Sequence, residues 1–279
     1  MSPKDQVVYL EPTEYLQAID VLREFTVRAL YWLAKKTHED LKDQIIGNFI
    51  ARGTVCLDSI CRLWQAGNYQ DCWILHRTLV DRYIHLRTLA DNDEFVEFER
   101  WSFQQQYRMS DIALSDRTIR RKLQSEWLKK AKALHQKQRS RMQKEPKSNW
   151  KRPDSKEALK RFNLSVVYRL GYDYPSTEVH PMADDGKEDF ARLVGRKLES
   201  YGDERVVLHN SFLVQGLLTN HGLASCSVLW RSFVSDFYQQ LLSLLESGSH
   251  DYLLTYQKAL TVGPDFSWCE PKSDPAGTE

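Results

Sequence analysis

Nowhere in these 279 residues is there a run of about 18 uncharged apolar side chains, the minimum for a membrane-crossing helix, so no membrane association is expected. The opening stretch MSPKDQVVYLEP has neither a basic leader nor an apolar core; no secretory signal is expected, and the default compartment is the cytoplasm. Cysteine is sparse. Cys56, Cys61, Cys72, Cys226 and Cys269 form an odd set without a C-x-x-C pair, which argues against a disulfide framework and against a thiolate zinc site. No metal or cofactor is expected. With only 12 glycines and 9 prolines, few positions interrupt a helical pattern. The net charge of +1, taken as a total, points to no charged partner.

What is present is the balance of a folded globular chain, 42% hydrophobic and 28% charged. Apolar side chains recur at i, i+3, i+4 and i+7, and strand signals are few. The period predicts helices over residues 13–36, 39–65, 70–90 and 94–114, with Pro12 opening the first and Gly67-Asn68 closing the second. Helical composition continues to about residue 143, where Pro146 and Pro153 break it. A short helix is expected at 155–162, and residues 194–207 have no clear assignment. Helix returns over 206–246, with Gly216 and Gly222 expected to divide or kink it, and once more over 251–262. The expected fold is all-α, a multi-helix bundle of long antiparallel helices with a basic helical arm. Its expected divisions are an N-terminal helical unit with the arm at 1–143, a linker at 144–154, a C-terminal helical unit at 155–262 and a disordered tail at 263–279.

The small net charge conceals a segregation. Between Asp116 and Phe162 stand 17 Lys and Arg against 5 Asp and Glu, a net of +12, which leaves −11 on the rest of the chain. Arg117, Arg120, Arg121, Lys122, Lys129, Lys130, Lys132, Lys137, Arg139 and Arg141 suit a phosphate backbone, and the interleaved Trp127 and Trp150 suit stacking on unpaired bases. The competing reading is a solvated arm that docks on the acidic remainder of its own chain or of a second copy.

Three smaller constellations hold polar groups at helical spacing. Arg77, Asp81 and His85 stand at i, i+4 and i+8 and form one stripe, suited to acid–base work or anion binding, or to a plain ion-pair face. Tyr172, Ser176 and His180 repeat that spacing around Pro175 and just ahead of Pro181; no G-x-S-x-G elbow surrounds Ser176, so ordinary serine-hydrolase chemistry is not expected. Arg205 and His209 share a face at the start of the long C-terminal helix.

The Arg77-Thr-Leu-Val-Asp81 pattern, followed by Tyr172-x-x-x-Ser176-x-x-x-His180-Pro181, resembles a set of helical bacterial proteins of unknown function over about residues 60–181. Such families are similar in turn to HEPN-type ribonucleases, dimeric bundles of bacterial defence and toxin systems in which an Arg and a His cut RNA without metal. That resemblance implies a homodimer acting as a metal-independent endoribonuclease, or an inactive relative. Metal-free cleavage needs a base for the 2′-hydroxyl, an acid for the leaving oxygen and a cation on the phosphate. His180 or His85 would be the acid or base and Arg77 or Arg205 the phosphate holder, oriented by Asp81 and Ser176. The expected function is therefore nucleic-acid binding, with RNA as the polymer. Its rivals are a non-catalytic interaction protein whose arm meets an acidic protein surface, and a small-molecule enzyme built on Tyr172, Ser176 and His180.

Overall fold

Pro12 stands at the first position of α1 (Pro12–Lys36), where its missing N–H would have had no helical partner. Asp40 caps α2 (Leu41–Gln65), its carboxylate accepting the Asp43 amide at 3.1 Å, and Gly67 takes φ 75° just beyond the C-terminus. Then follow α3 (Tyr69–Asn92), α4 (Phe95–Ser115), α5 (Arg117–Lys122), α6 (Ser125–Lys144) and α7 (Ser155–Arg161). A helix over 165–179 is α8 (Ser165–Tyr168) and α9 (Tyr174–Val179) joined by one π-helical turn, Arg169–Asp173. The chain continues through α10 (Lys187–Leu193), α11 (Arg205–Ser225), β1 (Val228–Trp230), α12 (Ser232–Ser247), α13 (Tyr252–Thr261) and β2 (Cys269–Pro271). This computed structural model describes residues 9–36, 40–122, 124–179, 186–196, 203–262 and 269–271. The all-α bundle is thus present, with β1 and β2 as a short antiparallel ribbon pairing Leu229 with Glu270. No helix among the described residues is long and apolar enough to cross a membrane.

Two compact units result, one from Met1–Asp91 with Pro153–Glu279 and one from Asn92–Arg152. In the larger unit α11 packs against α1 and α2, and in the smaller one α6 packs against α4. In the larger unit α2 and α11 cross closely. A Cβ on Gly53 would lie 2.4 Å from Gln215 Oε1 and 2.5 Å from a Leu218 methyl, and one on Gly222 would lie 2.8 Å from Ile50 Cδ1. Beside the crossing, Gln215 donates to the Thr54 and Thr219 hydroxyls at 3.1 Å each, satisfying polar groups that would be costly alone. Phe25 of α1 stacks on Phe237 of α12 at 3.9 Å between centroids, and Tyr252 of α13 meets Phe237 edge-on at 6.4 Å.

The long C-terminal helix does not divide at Gly216 or Gly222, as the glycines suggested. Both lie inside α11, and the break comes at Cys226, whose backbone is extended. There the buried Asp43 carboxylate takes the Ser227 amide at 3.0 Å and the Ser227 hydroxyl, drawing the chain out of the helix and into β1. A tertiary partner, absent from the local sequence, ends this helix. In the tail, only Cys269–Pro271 lies within the described residues, and it is a strand.

The two glycines of α11 have opposite expected responses to alanine. At Gly222 the new methyl meets Ile50, Ile46 and Leu86, so Gly222→Ala destabilises the protein by about 1–3 kcal/mol. At Gly216 nothing lies within 4 Å of the added Cβ, and the helix-propensity gain stabilises by about 0.5–1 kcal/mol. Chemical denaturation of the two variants checks both signs.

Candidate nucleic-acid interface

The smaller unit is a helical hairpin. α4 and α6 run antiparallel, as shown by Arg141 against Glu99 near one end and His135 against Tyr107 and Asp111 toward the other. Asp116 stops α4 and caps α5, its carboxylate accepting the amides of Thr118 at 2.7 Å and Ile119 at 3.0 Å. After α6 the chain returns along α4. Gln104 donates to the Pro146 carbonyl at 2.9 Å and accepts the Ser148 amide at 3.1 Å, while the Ser148 hydroxyl donates to the Glu97 carbonyl at 2.9 Å. These bonds seat Trp150 among Phe98 and Trp101, at 4.9 and 4.7 Å between centroids.

Two expected contact residues are thereby removed from the surface role. Trp150 is buried in the hairpin, with no open ring face to offer a base. Arg141 bridges Glu99 at 2.6 Å and Glu145 at 2.7 Å and lies 4.0 Å over the Phe103 ring, so its charge is neutralised inside the hairpin, and the two carboxylates hold it firmly protonated. Lys129 has a looser partner, Glu126, at 3.4 Å.

The other expected cations remain available. Arg117, Arg120, Arg121, Lys122, Lys130, Lys132, Lys137 and Arg139 are exposed and form no ion pair among the described residues. Four of the five acids of this stretch are engaged: Asp116 and Asp154 cap helices, and Glu126 and Glu145 hold Lys129 and Arg141. Trp127 projects from the first turn of α6, 51% exposed.

Among the described residues of the larger unit, the three constellations do not form one assembled centre. Arg77 turns to Tyr172, its guanidinium 4.7 Å from the ring centroid and donating to the phenol oxygen at 3.3 Å. His85 donates from Nδ1 to the Asp81 carbonyl at 2.7 Å. The Ser176 hydroxyl donates to the Tyr172 carbonyl one turn back. His180 lies outside the described residues. Arg205 is clamped by Asp203 at 2.9 Å and reaches Glu11 at 3.3 Å. His209 is buried instead, hydrogen-bonded to the Tyr15 hydroxyl at 2.8 Å, with Tyr9 edge-on at 5.4 Å. Burial pushes its imidazole down to about 4, so it is a neutral core group, which corrects its expected role as a partner of Arg205.

The pairing of Arg77 with Tyr172 was not expected, because the two belong to separate patterns in the sequence. It depends on the π turn. Fully buried His76 bonds Ser211 through Nδ1 at 2.9 Å, and its Nε2 faces Gly171, where an added Cβ would lie 3.1 Å away. A Cβ there would press on the ring and on Val80, so glycine relieves a tight contact beneath the turn that carries Tyr172. Burial lowers the His76 imidazole to about 3, so it too is neutral.

A family model for DUF5677, a family of unknown function, matches residues 43–192, more than half of the chain. The chain belongs to the DUF5677 family. The DUF5677 span contains the whole hairpin together with Arg77, Asp81, His85, Tyr172 and Ser176, and stops short of Arg205 and His209. It also encloses residues 60–181, where a helical family of unknown function was expected; nothing in the match supports kinship with HEPN-type ribonucleases. No curated protein and no solved structure matches the chain.

The buried histidines give a pH dependence with a definite sign. In the unfolded chain an imidazole takes its proton near pH 6.5, whereas folded His209 and His76 resist protonation to about 4 and about 3. Between those limits the unfolded state binds more protons, so stability is level above pH 6.5 and falls as the pH drops from 6.5 toward 4. His209→Gln, which keeps a hydrogen-bonding group for Tyr15, flattens part of that fall in thermal-unfolding scans. An unchanged slope refutes the neutral buried His209.

Proposed function

We propose that this protein binds nucleic acid, with RNA as the polymer, through the cationic surface of α5 and α6. The observation that carries the reading is the set of eight exposed Lys and Arg without an ion-pair partner among the described residues, in a segment of net charge +12. Such a surface attracts a phosphate backbone by releasing the counterions condensed on it. Within the hairpin, only Arg141 and Lys129 of the expected contact residues are matched by carboxylates among the described residues.

The proposal is binding rather than strand cleavage. Of the residues that metal-free cleavage would use, Arg205 is tied to Asp203, Arg77 is engaged with Tyr172, and the Ser176 hydroxyl donates to a carbonyl. Cytoplasmic location and a homodimer belong to the same reading, the first as the compartment that holds the polymer and the second as a doubling of the cationic footprint.

The test is a titration of labelled RNA by fluorescence anisotropy at several salt concentrations. About four phosphate contacts on a single strand give a slope of log affinity against log salt near −3, from about −0.7 per contact. Reversing charge in Arg120→Glu/Arg121→Glu weakens binding and makes that slope shallower. Absence of binding at low salt, or affinity indifferent to salt, overturns the proposal; tighter binding to polyglutamate than to RNA moves the surface to an acidic protein partner.

A further inference from the structure

The half-buried positions of α6, Leu128, Ala131, His135, Gln138 and Met142, form its seam against α4. Trp127 and Leu134 stand off that seam, 51% and 56% exposed. Seven residues separate them, so they fall on one line of the helix, about 10 Å apart along its axis. Each is followed three residues later, on the neighbouring turn, by a lysine: Lys130 after Trp127 and Lys137 after Leu134. Neither lysine has an ion-pair partner among the described residues, and both are exposed. The surface of α6 therefore presents the same pair twice, an apolar side chain with an available cation beside it.

Resting on the RNA-binding reading above, we infer that this line is a stacking register for single-stranded RNA. An unpaired base lies on the Trp127 indole while Lys130 holds a neighbouring phosphate, and Leu134 with Lys137 receives the strand about 10 Å further along. The other tryptophans of the hairpin are already engaged within it: Trp150 is buried, and Trp101 packs against it and lies under Arg152 at 5.6 Å. A duplex would satisfy the lysines through its phosphates but keeps its bases stacked on one another, with no ring face for an indole. Stacking thus sets the choice between the two forms, and charge supplies the affinity common to both.

The experiment titrates the full-length chain with a single-stranded oligoadenylate and with an RNA duplex of equal length, comparing the unaltered protein with Trp127→Ala and Trp127→Phe. Trp127→Ala is expected to weaken single-strand binding roughly 5- to 150-fold, the range for losing one aromatic stack. Its salt slope and its affinity for duplex stay unchanged, and Trp127→Phe restores most of the loss. Because Trp127 lies on the surface, the thermal-unfolding midpoint of Trp127→Ala is expected to match that of the unaltered chain. If Trp127→Ala binds the single strand as tightly as the unaltered protein, or if the duplex is preferred, the stacking register is overturned while RNA binding stands. If neither RNA binds, both fall.

Discussion

The crossing of α2 over α11 sets the geometry of the larger unit. With glycine at 53 and 222, side chains of the facing helix fill the space a Cβ would take, Gln215 and Leu218 at the first and Ile50 and Ile46 at the second. α1 packs against both helices, and α12 and α13 close over the far side through Phe25, Phe237 and Tyr252. Among the polar groups near this contact, the Gln215 amide donates to Thr54 and Thr219 and His76 Nδ1 bonds Ser211. Buried hydrogen bonds of this kind add little net stability, but leaving one partner alone costs much more, so they restrict how the helices can be repacked.

The hairpin is held together in a different way. Few of its side chains are deeply buried; Phe103, the Trp150 cluster and the bridge from Arg141 to Glu99 and Glu145 secure it. Glu97 holds Arg100, Glu99 and Glu145 hold Arg141, Glu126 holds Lys129 and Asp116 caps a helix, while the other Lys and Arg of α5 and the body of α6 face water. Repulsion among them is tolerable because exposed charges are screened within about 8 Å at physiological salt. On the proposed reading, a bound oligoanion would relieve that repulsion.

Most of the helical architecture was legible from periodicity. The ends of α1 to α4 fall within two residues of the expected positions, since Pro12, Gly67 and the apolar spacing are local signals. What escaped depends on partners distant in sequence. Asp43 draws Ser227 out of the helix across 184 positions, and the grouping of α11 with α1 and α2 reflects packing that no spacing encodes. Among the candidate contact residues, charge counting correctly identified a cationic segment but could not distinguish the paired Arg141 from the available Arg139. Nor could it distinguish buried Trp150 from exposed Trp127. The seven-residue interval from Trp127 to Leu134 was present in the sequence and is a signal that periodicity could have supplied.

The wide turn at Arg169–Asp173 changes how spacing should be read on either side of it. A turn closed by i to i+5 hydrogen bonds takes up one residue more than an α turn, so residues beyond it are out of phase with those before it. Tyr172 lies within the wide turn and Ser176 just past it, so counting in fours does not place them in line as it would on a regular helix. Deleting one residue there would bring the two stretches back into step, and Tyr172 would swing away from Arg77. The extra residue thus acts as a dial setting for the direction of a single aromatic ring.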